Sequence, residues 1–188
     1  MAVAGVTLLV GSGCQSRRPT PDPISCTPAT TSLGLGTPAE QLAGTYRLKL
    51  VATEGAKTGQ SSEGTLLLQP YEPSLREVTV GGIRDTAARY VHYGRADVDL
   101  DAVGAVSPGE LGSLDPMQPG VVVIQRKGAI TLRLGSAANR RDVARFDGGY
   151  MALRVGEATA DRLAGSWTSG VGTRRSAGYF CAVRVEGR

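Results

Sequence analysis

Aromatic residues make up only 5% of the 188-residue chain, histidine occurs once (His92), and cysteine and lysine occur three times each. Each shortage excludes something. With one histidine and no Cys-x-x-Cys pair, a zinc site of ordinary spacing cannot be assembled. A hydrolase triad would have to use His92, midway along an alternating stretch, and no Gly-x-Ser-x-Gly elbow or P-loop accompanies it. The chain therefore reads as a binding protein rather than an enzyme, and it implies no cofactor and no metal. No apolar run approaches the ~18 residues that a membrane-spanning helix needs. The cations are 18 arginines against three lysines. Beside so much Ala and Gly, that bias reads as GC-rich coding. No nucleic-acid motif and no basic stripe interleaved with aromatics is present, so nucleic acid is not an expected partner.

What abounds is glycine, 26 residues, alongside 41% hydrophobic residues and a net charge of +4. The glycines follow no three-residue period, which excludes a collagen-like chain. The apolar content is enough to fill one core, which excludes wholesale disorder. Glycine with many Val, Leu and Thr points to short strands joined by tight turns.

Residues 2–10 form an apolar run, followed by Gly11-Ser12-Gly13-Cys14. This resembles the signal peptide of bacterial lipoproteins, in which small residues precede a cysteine that is lipidated and becomes the mature N-terminus. The resemblance implies a signal peptide over 1–13, a lipid on Cys14 and anchorage in the bacterial cell envelope. Gln15 in place of an aspartate implies the outer membrane, facing the periplasm. Residues 15–41 hold five of the ten prolines and eight Ser or Thr. Such a segment buries too little apolar surface to fold alone, so 14–41 reads as a tether and 42–188 as the folded domain. With Cys14 lipidated, Cys26 and Cys181 remain as an even pair, expected to form a disulfide in an oxidising compartment.

From Leu42 onward apolar and polar residues alternate. Tyr46, Leu48, Leu50 and Ala52 share a face opposite Thr45, Arg47 and Lys49. Ile130, Leu132 and Leu134 oppose Thr131 and Arg133. Tyr90, His92, Ala96, Val98 and Leu100 oppose Tyr93, Arg95, Asp97, Asp99 and Asp101. A period of two with one packed face predicts antiparallel sheet. Turn signals divide the chain into nine strands, 43–52, 63–69, 75–80, 88–100, 120–126, 129–135, 149–155, 160–169 and 175–185, with short helical pieces near 100–112 and 137–145. Successive hairpins predict an all-β, antiparallel up-and-down barrel of eight or nine strands. Nine strands in a strict meander would leave first and last parallel. Either one segment lies outside the barrel, or closure is imperfect. Leu42-Ala43-Gly44-Thr45-Tyr46 resembles the Gly-x-Trp opening of lipocalin-like barrels, with Tyr for Trp, and Leu163-Ala164-Gly165-Ser166-Trp167 repeats the phrase. Arg184 sits where that family's arginine crosses the aromatic. The resemblance implies a barrel with one closed and one open end, the open end giving access to a small-molecule pocket.

Candidate sites follow from these placements. Tyr46, Tyr90, His92 and Trp167 are the inward polar and aromatic residues able to line a ligand cavity. Asp97-x-Asp99-x-Asp101 is not a calcium loop, because Ala102 and Pro108 replace the required Gly and Glu. It reads as the wet face of a strand. Arg140, Arg141 and Arg145 lie in the 136–148 connection and Arg174-Arg175 in another. In a meander these, with the 70–74 and 101–119 connections, emerge at one loop-rich end suited to binding. Cys181 faces inward if Tyr179, Val183 and Val185 do, outward if Phe180 and Ala182 form the inner face. Two functional readings compete. One is a lipid-anchored accessory protein docking onto a membrane-associated assembly through its loop-rich end. The other is a carrier of a small hydrophobic ligand.

Overall fold

The computed structural model describes residues 23–29, 39–80, 83–139 and 149–185. Where apolar residues alternate, the chain is strand. β1 (Gly44–Glu54) buries Tyr46, Leu48, Leu50 and Ala52, and β2 (Ser61–Pro70) buries Leu66 and Leu68. β3 (Glu77–Val80) and β4 (Ile83–Asp97) follow, then β5 (Val121–Arg126), β6 (Ala129–Leu134), β7 (Tyr150–Ala158), β8 (Arg162–Val171) and β9 (Arg174–Arg184). The hairpin joining β5 to β6 is a two-residue turn with positive φ at both Lys127 (49°) and Gly128 (84°), the backbone whose twist matches the flanking strands. Regular helix among the described residues is confined to 3-10 turns at Ala39–Leu42, Pro73–Leu75 and Asp101–Val103, and to one turn of α-helix, α1 (Ser136–Asn139).

The sheet closes on itself. β1 pairs with both β2 and β9, β2 pairs with β4, and every adjacent pair is antiparallel, giving the ring β1-β2-β4-β5-β6-β7-β8-β9. This is an eight-stranded up-and-down barrel of lipocalin-like form. The ninth strand, β3, lies outside the ring. β2 ends at Pro70, opposite His92 midway along β4. A proline has no N–H to extend that ladder, and the first half of β4 is left to pair with β3, Val80 against Ile83 and Glu77 against Arg89. Because β3 does not count as a barrel strand, the 71–76 connection emerges at the opposite end from 98–120 and 135–149. The 55–60 turn joins those two instead. The expected grouping of 70–74 with the long connections is corrected accordingly.

The inward side chains of all eight ring strands form one apolar cluster, with Tyr46, Leu48, Leu50, Leu66, Leu132, Leu134, Leu153, Trp167 and Phe180 fully buried. Phe180 and Ala182 are the inward residues of β9, and Cys181 faces out. There it is bonded to Cys26, with Cα atoms 5.6 Å apart. The bridge lays residues 23–29 along the outer surface of β8 and β9, with Ile24 packed on Ala164 and Cys181. A second small cluster sits outside the ring, where Tyr71, Ala88, Tyr90 and Val122 pack with Leu75, Tyr93 and Ile124.

Candidate functional site

At the end where β1 begins, the barrel is closed by its own chain. The 3-10 turn Ala39–Leu42 runs across it and buries Leu42 in the core. Arg184 locks this closure. Its guanidinium lies 5.0 Å from the centre of the Tyr46 ring and donates to the carbonyls of Ala160 (2.7 Å), Ala43 (2.6 Å) and Gln41 (2.8 Å). It also donates to the Tyr46 hydroxyl (2.8 Å), which itself donates to the Leu42 carbonyl (3.0 Å). Burial pushes the Tyr46 hydroxyl above its ordinary pKa near 10, and the adjacent Arg184 charge and hydrogen bond pull it part of the way back. The arginine thus crosses the aromatic as the resemblance implied.

The far end, expected to be open, is covered. After β4 the chain bends across the rim, and Leu100, Val103 and Ala105 enter the barrel core. Left-handed Gly104 (φ 68°) ends the 3-10 turn there. Serines tie this covering down. Ser169 of β8 donates to the Tyr150 carbonyl (2.9 Å) and accepts the Val106 N–H (2.9 Å), and Ser176 of β9 donates to the Gly104 carbonyl (2.7 Å). Sequence reading missed both serines. Their only signal was a buried hydroxyl at an inward position of a strand end.

Of the four expected cavity residues, Tyr90 lies outside the ring while the other three are fully buried. Tyr46 belongs to the closed end, and its hydroxyl is held by Leu42 and Arg184. Trp167 is fully buried, and its indole N–H donates to the Val51 carbonyl at 3.1 Å, reaching across β9 at Gly178. A Cβ at Gly178 would collide with that carbonyl and with the indole, so only glycine permits this path. His92 is fully buried between Pro70 and Val123. Tyr90 faces away from all three. The β4–β5 register shifts between Tyr90 and His92, so Val91 takes the inward position and Tyr90 turns to the outer cluster beside Tyr71 (5.8 Å between rings). Of the clefts described, one of about 420 Å³ lies at the rim between β2, β4 and Leu111-Gly112, and one of about 280 Å³ lies beside the Lys127-Gly128 turn. Both lie outside the barrel interior.

Asp97 ends β4, and the chain then turns, so Asp99 and Asp101 do not continue a strand face as expected. Asp99 instead accepts the N–H of Ala102 (3.2 Å), bracing the bend. No group of three His, Cys, Asp or Glu among the described residues is placed to hold a metal. Arg174 and Arg175 are exposed and form the start of β9 rather than a loop. Cys14, Arg140, Arg141 and Arg145 lie outside the described residues.

The molecule is therefore a lipocalin-like antiparallel β-barrel of eight strands, filled along its axis and covered at both ends. No protein-family model matches the chain, and no curated protein matches it. Among solved structures it resembles the S-type phycobiliprotein lyase CPES from Guillardia theta (TM-score 0.41, 11% identity, 80% of this chain and 92% of that one). It also resembles the barrel EF1p2_mFAP2b bound to DFHBI (TM-score 0.39, 10% identity, 78% and 96%). A third is a de novo designed fluorescence-activating β-barrel (TM-score 0.36, 11% identity, 78% and 96%). These likenesses concern the path of the chain and say nothing of what this barrel binds.

Proposed function

We propose that the protein is an exported, lipid-anchored binding barrel that holds a protein partner of a membrane-associated assembly on its loop-bearing end, without catalysing a reaction. The observation that carries this reading is the filled, doubly covered interior. A carrier needs an empty apolar cavity with a mouth. Here the indole and phenol polar groups of Trp167 and Tyr46 are already bonded within the fold. That leaves the surface, and the end bearing the 55–60 turn and the long 98–120 connection is where the described loops gather. The Cys26–Cys181 bridge supports export, since disulfides persist in oxidising compartments.

Three experiments test the reading. Cys14→Ser should release the chain from membranes without unfolding it, and a variant that stays bound by fractionation would count against the lipid anchor. Charge reversal at Arg140, Arg141, Arg174 and Arg175 should abolish partner co-purification while the melting temperature stays within a few degrees, because exposed charges contribute little to stability. Native mass spectrometry of detergent-extracted material should find a protein bound. A retained small molecule and no protein would favour the carrier.

A further inference from the structure

The charges of this barrel are uneven around the ring. Residues 44–97, covering β1 to β4, hold 7 Lys or Arg against 6 Asp or Glu, net +1, and the long connection 98–120 adds four anions at the rim. The described residues of β5 to β9 and their turns, 121–139 and 149–184, hold 8 against 2, net +6. Closing the ring places the two sets of strands on opposite sides of the barrel.

The cations converge on the outer surface around the disulfide. Cys181 pairs with Lys49 on β1 and with Ala164 on β8, and Arg162 lies two residues before Ala164. One outward row further along, Tyr179 pairs with Ser166, and Ser166 with Arg154 on β7. Arg133 lies diagonally beyond on β6, and Arg175 shares the outward parity of Cys181 on β9. The anions on this surface are Glu63, bonded to Lys49 (2.8 Å) and Arg47 (3.6 Å), Glu54, opposite Ala177, Glu157, opposite Ala164, and exposed Asp161 beside Arg162. The connection that crosses the rim adds Asp99, Asp101, Glu110 and Asp115 at that end rather than on the side of β6 to β9.

We infer that the outer surface of β6 to β9 is the side the barrel lays against an anionic lipid surface, and that the disulfide selects it. The inference rests on the anchored reading in taking Cys14 as the point of attachment. Cys14 lies nine residues before Pro23, where the segment on β8 and β9 begins. Nine residues span at most about 30 Å. Measured instead to Leu42, the leash would be about 90 Å, and any side of the barrel could face the lipid. The bridge therefore holds the basic surface within reach of headgroups, where each arginine gains from the negative surface potential.

The test does not depend on lipidation in the cell. In the full, oxidised chain Cys14 is the remaining thiol, so it can be coupled to a maleimide lipid in phosphatidylcholine vesicles with or without 25% phosphatidylglycerol. Arginine modification by phenylglyoxal, read by mass spectrometry, then compares the two sides. On anionic vesicles Arg133, Arg154 and Arg162 should react about fivefold more slowly, while Arg84 and Arg95 on β4 keep their rates. The protection should vanish on pure phosphatidylcholine and at about 0.5 M NaCl, where the Debye length is a few ångströms. In a Cys26→Ser/Cys181→Ser variant it should spread evenly over both sides. Equal rates on the two sides of the oxidised chain, or protection that persists on neutral vesicles, would overturn the inference. Membrane release by Cys14→Ser in cells bears on the anchor alone, so the two failures are distinguishable.

Discussion

Arg184 concentrates more of the closed end's energetics than any other described side chain. One guanidinium there satisfies three carbonyls and the Tyr46 hydroxyl while lying over the phenol ring. Charge-assisted bonds of this kind are stronger than neutral ones, and removing the donor strands their acceptors. Arg184→Met should cost about 2–4 kcal/mol in urea unfolding. Tyr46 adds a pH dependence. Its folded pKa is raised, mainly by burial, so above pH 10 the native state keeps a proton that the unfolded chain has lost. The unfolded state then binds fewer protons, and stability falls as pH rises from about 10 toward the folded pKa, with no contribution below that window. Tyr46→Phe should flatten this alkaline limb, a change that urea midpoints between pH 8 and 11.5 will reveal. An unaltered limb would place the alkaline titration elsewhere.

Among the elements, β3 and the connection before it do what no alternation pattern announces. They build a roof over a patch of barrel exterior, with Tyr71 buried beneath it. Its ring lies 5.8 Å from Tyr90 and 4.9 Å from Tyr93, and its hydroxyl donates to the Pro116 carbonyl (3.1 Å). Tyr71 thereby ties the roof to the long 98–120 connection. Tyr71→Ala should cost about 2–4 kcal/mol and should speed amide exchange in 113–118, leaving β6 to β9 protected. Equal loss of protection in β8 would mean that roof and ring unfold as one unit. The alternation of β4 was legible up to its irregularity. A single-residue bulge at Val91 flips everything before it, which is why Tyr90 was assigned to the wrong face while Ala96, Val98 and Leu100 were assigned correctly. Bulges answer to cross-strand fit rather than to local composition.

For the whole molecule, the disulfide joins residues 155 apart. In the chain-entropy account such a loop stabilises by up to ~5 kcal/mol. The ring itself closes through β1–β9 pairing and does not need the bridge. Reduction should therefore lower the melting temperature while leaving a folded barrel whose N-terminal segment is cut by protease near Cys26. Far-ultraviolet dichroism and limited proteolysis under reductant check both halves of that expectation. Loss of the β signal on reduction would show that the bridge carries the fold.

Local chemistry determined much of this. Period-two alternation marked nearly every strand to within a few residues, because each strand has one wet side and one dry side. Glycine and turn residues marked the hairpins. The Gly-x-Tyr phrase and Arg184 marked the closed end, and cysteine parity marked the bridge. Only the tertiary structure decided the rest. Whether β3 joined the ring depended on where β2 stopped against β4, a contact between residues about 20 apart. Cys181 has apolar neighbours of both parities, so its outward side was settled by Phe180 filling the interior. Whether the interior was packed or hollow, which alternation leaves open, was decided in part by the long connection, whose Val103 and Ala105 belong to no strand until the rim gives them a core to enter. Ring closure also set the cation-rich strands β5 to β9 opposite the nearly neutral β1 to β4, since charge along a chain has no sides until the sheet is closed.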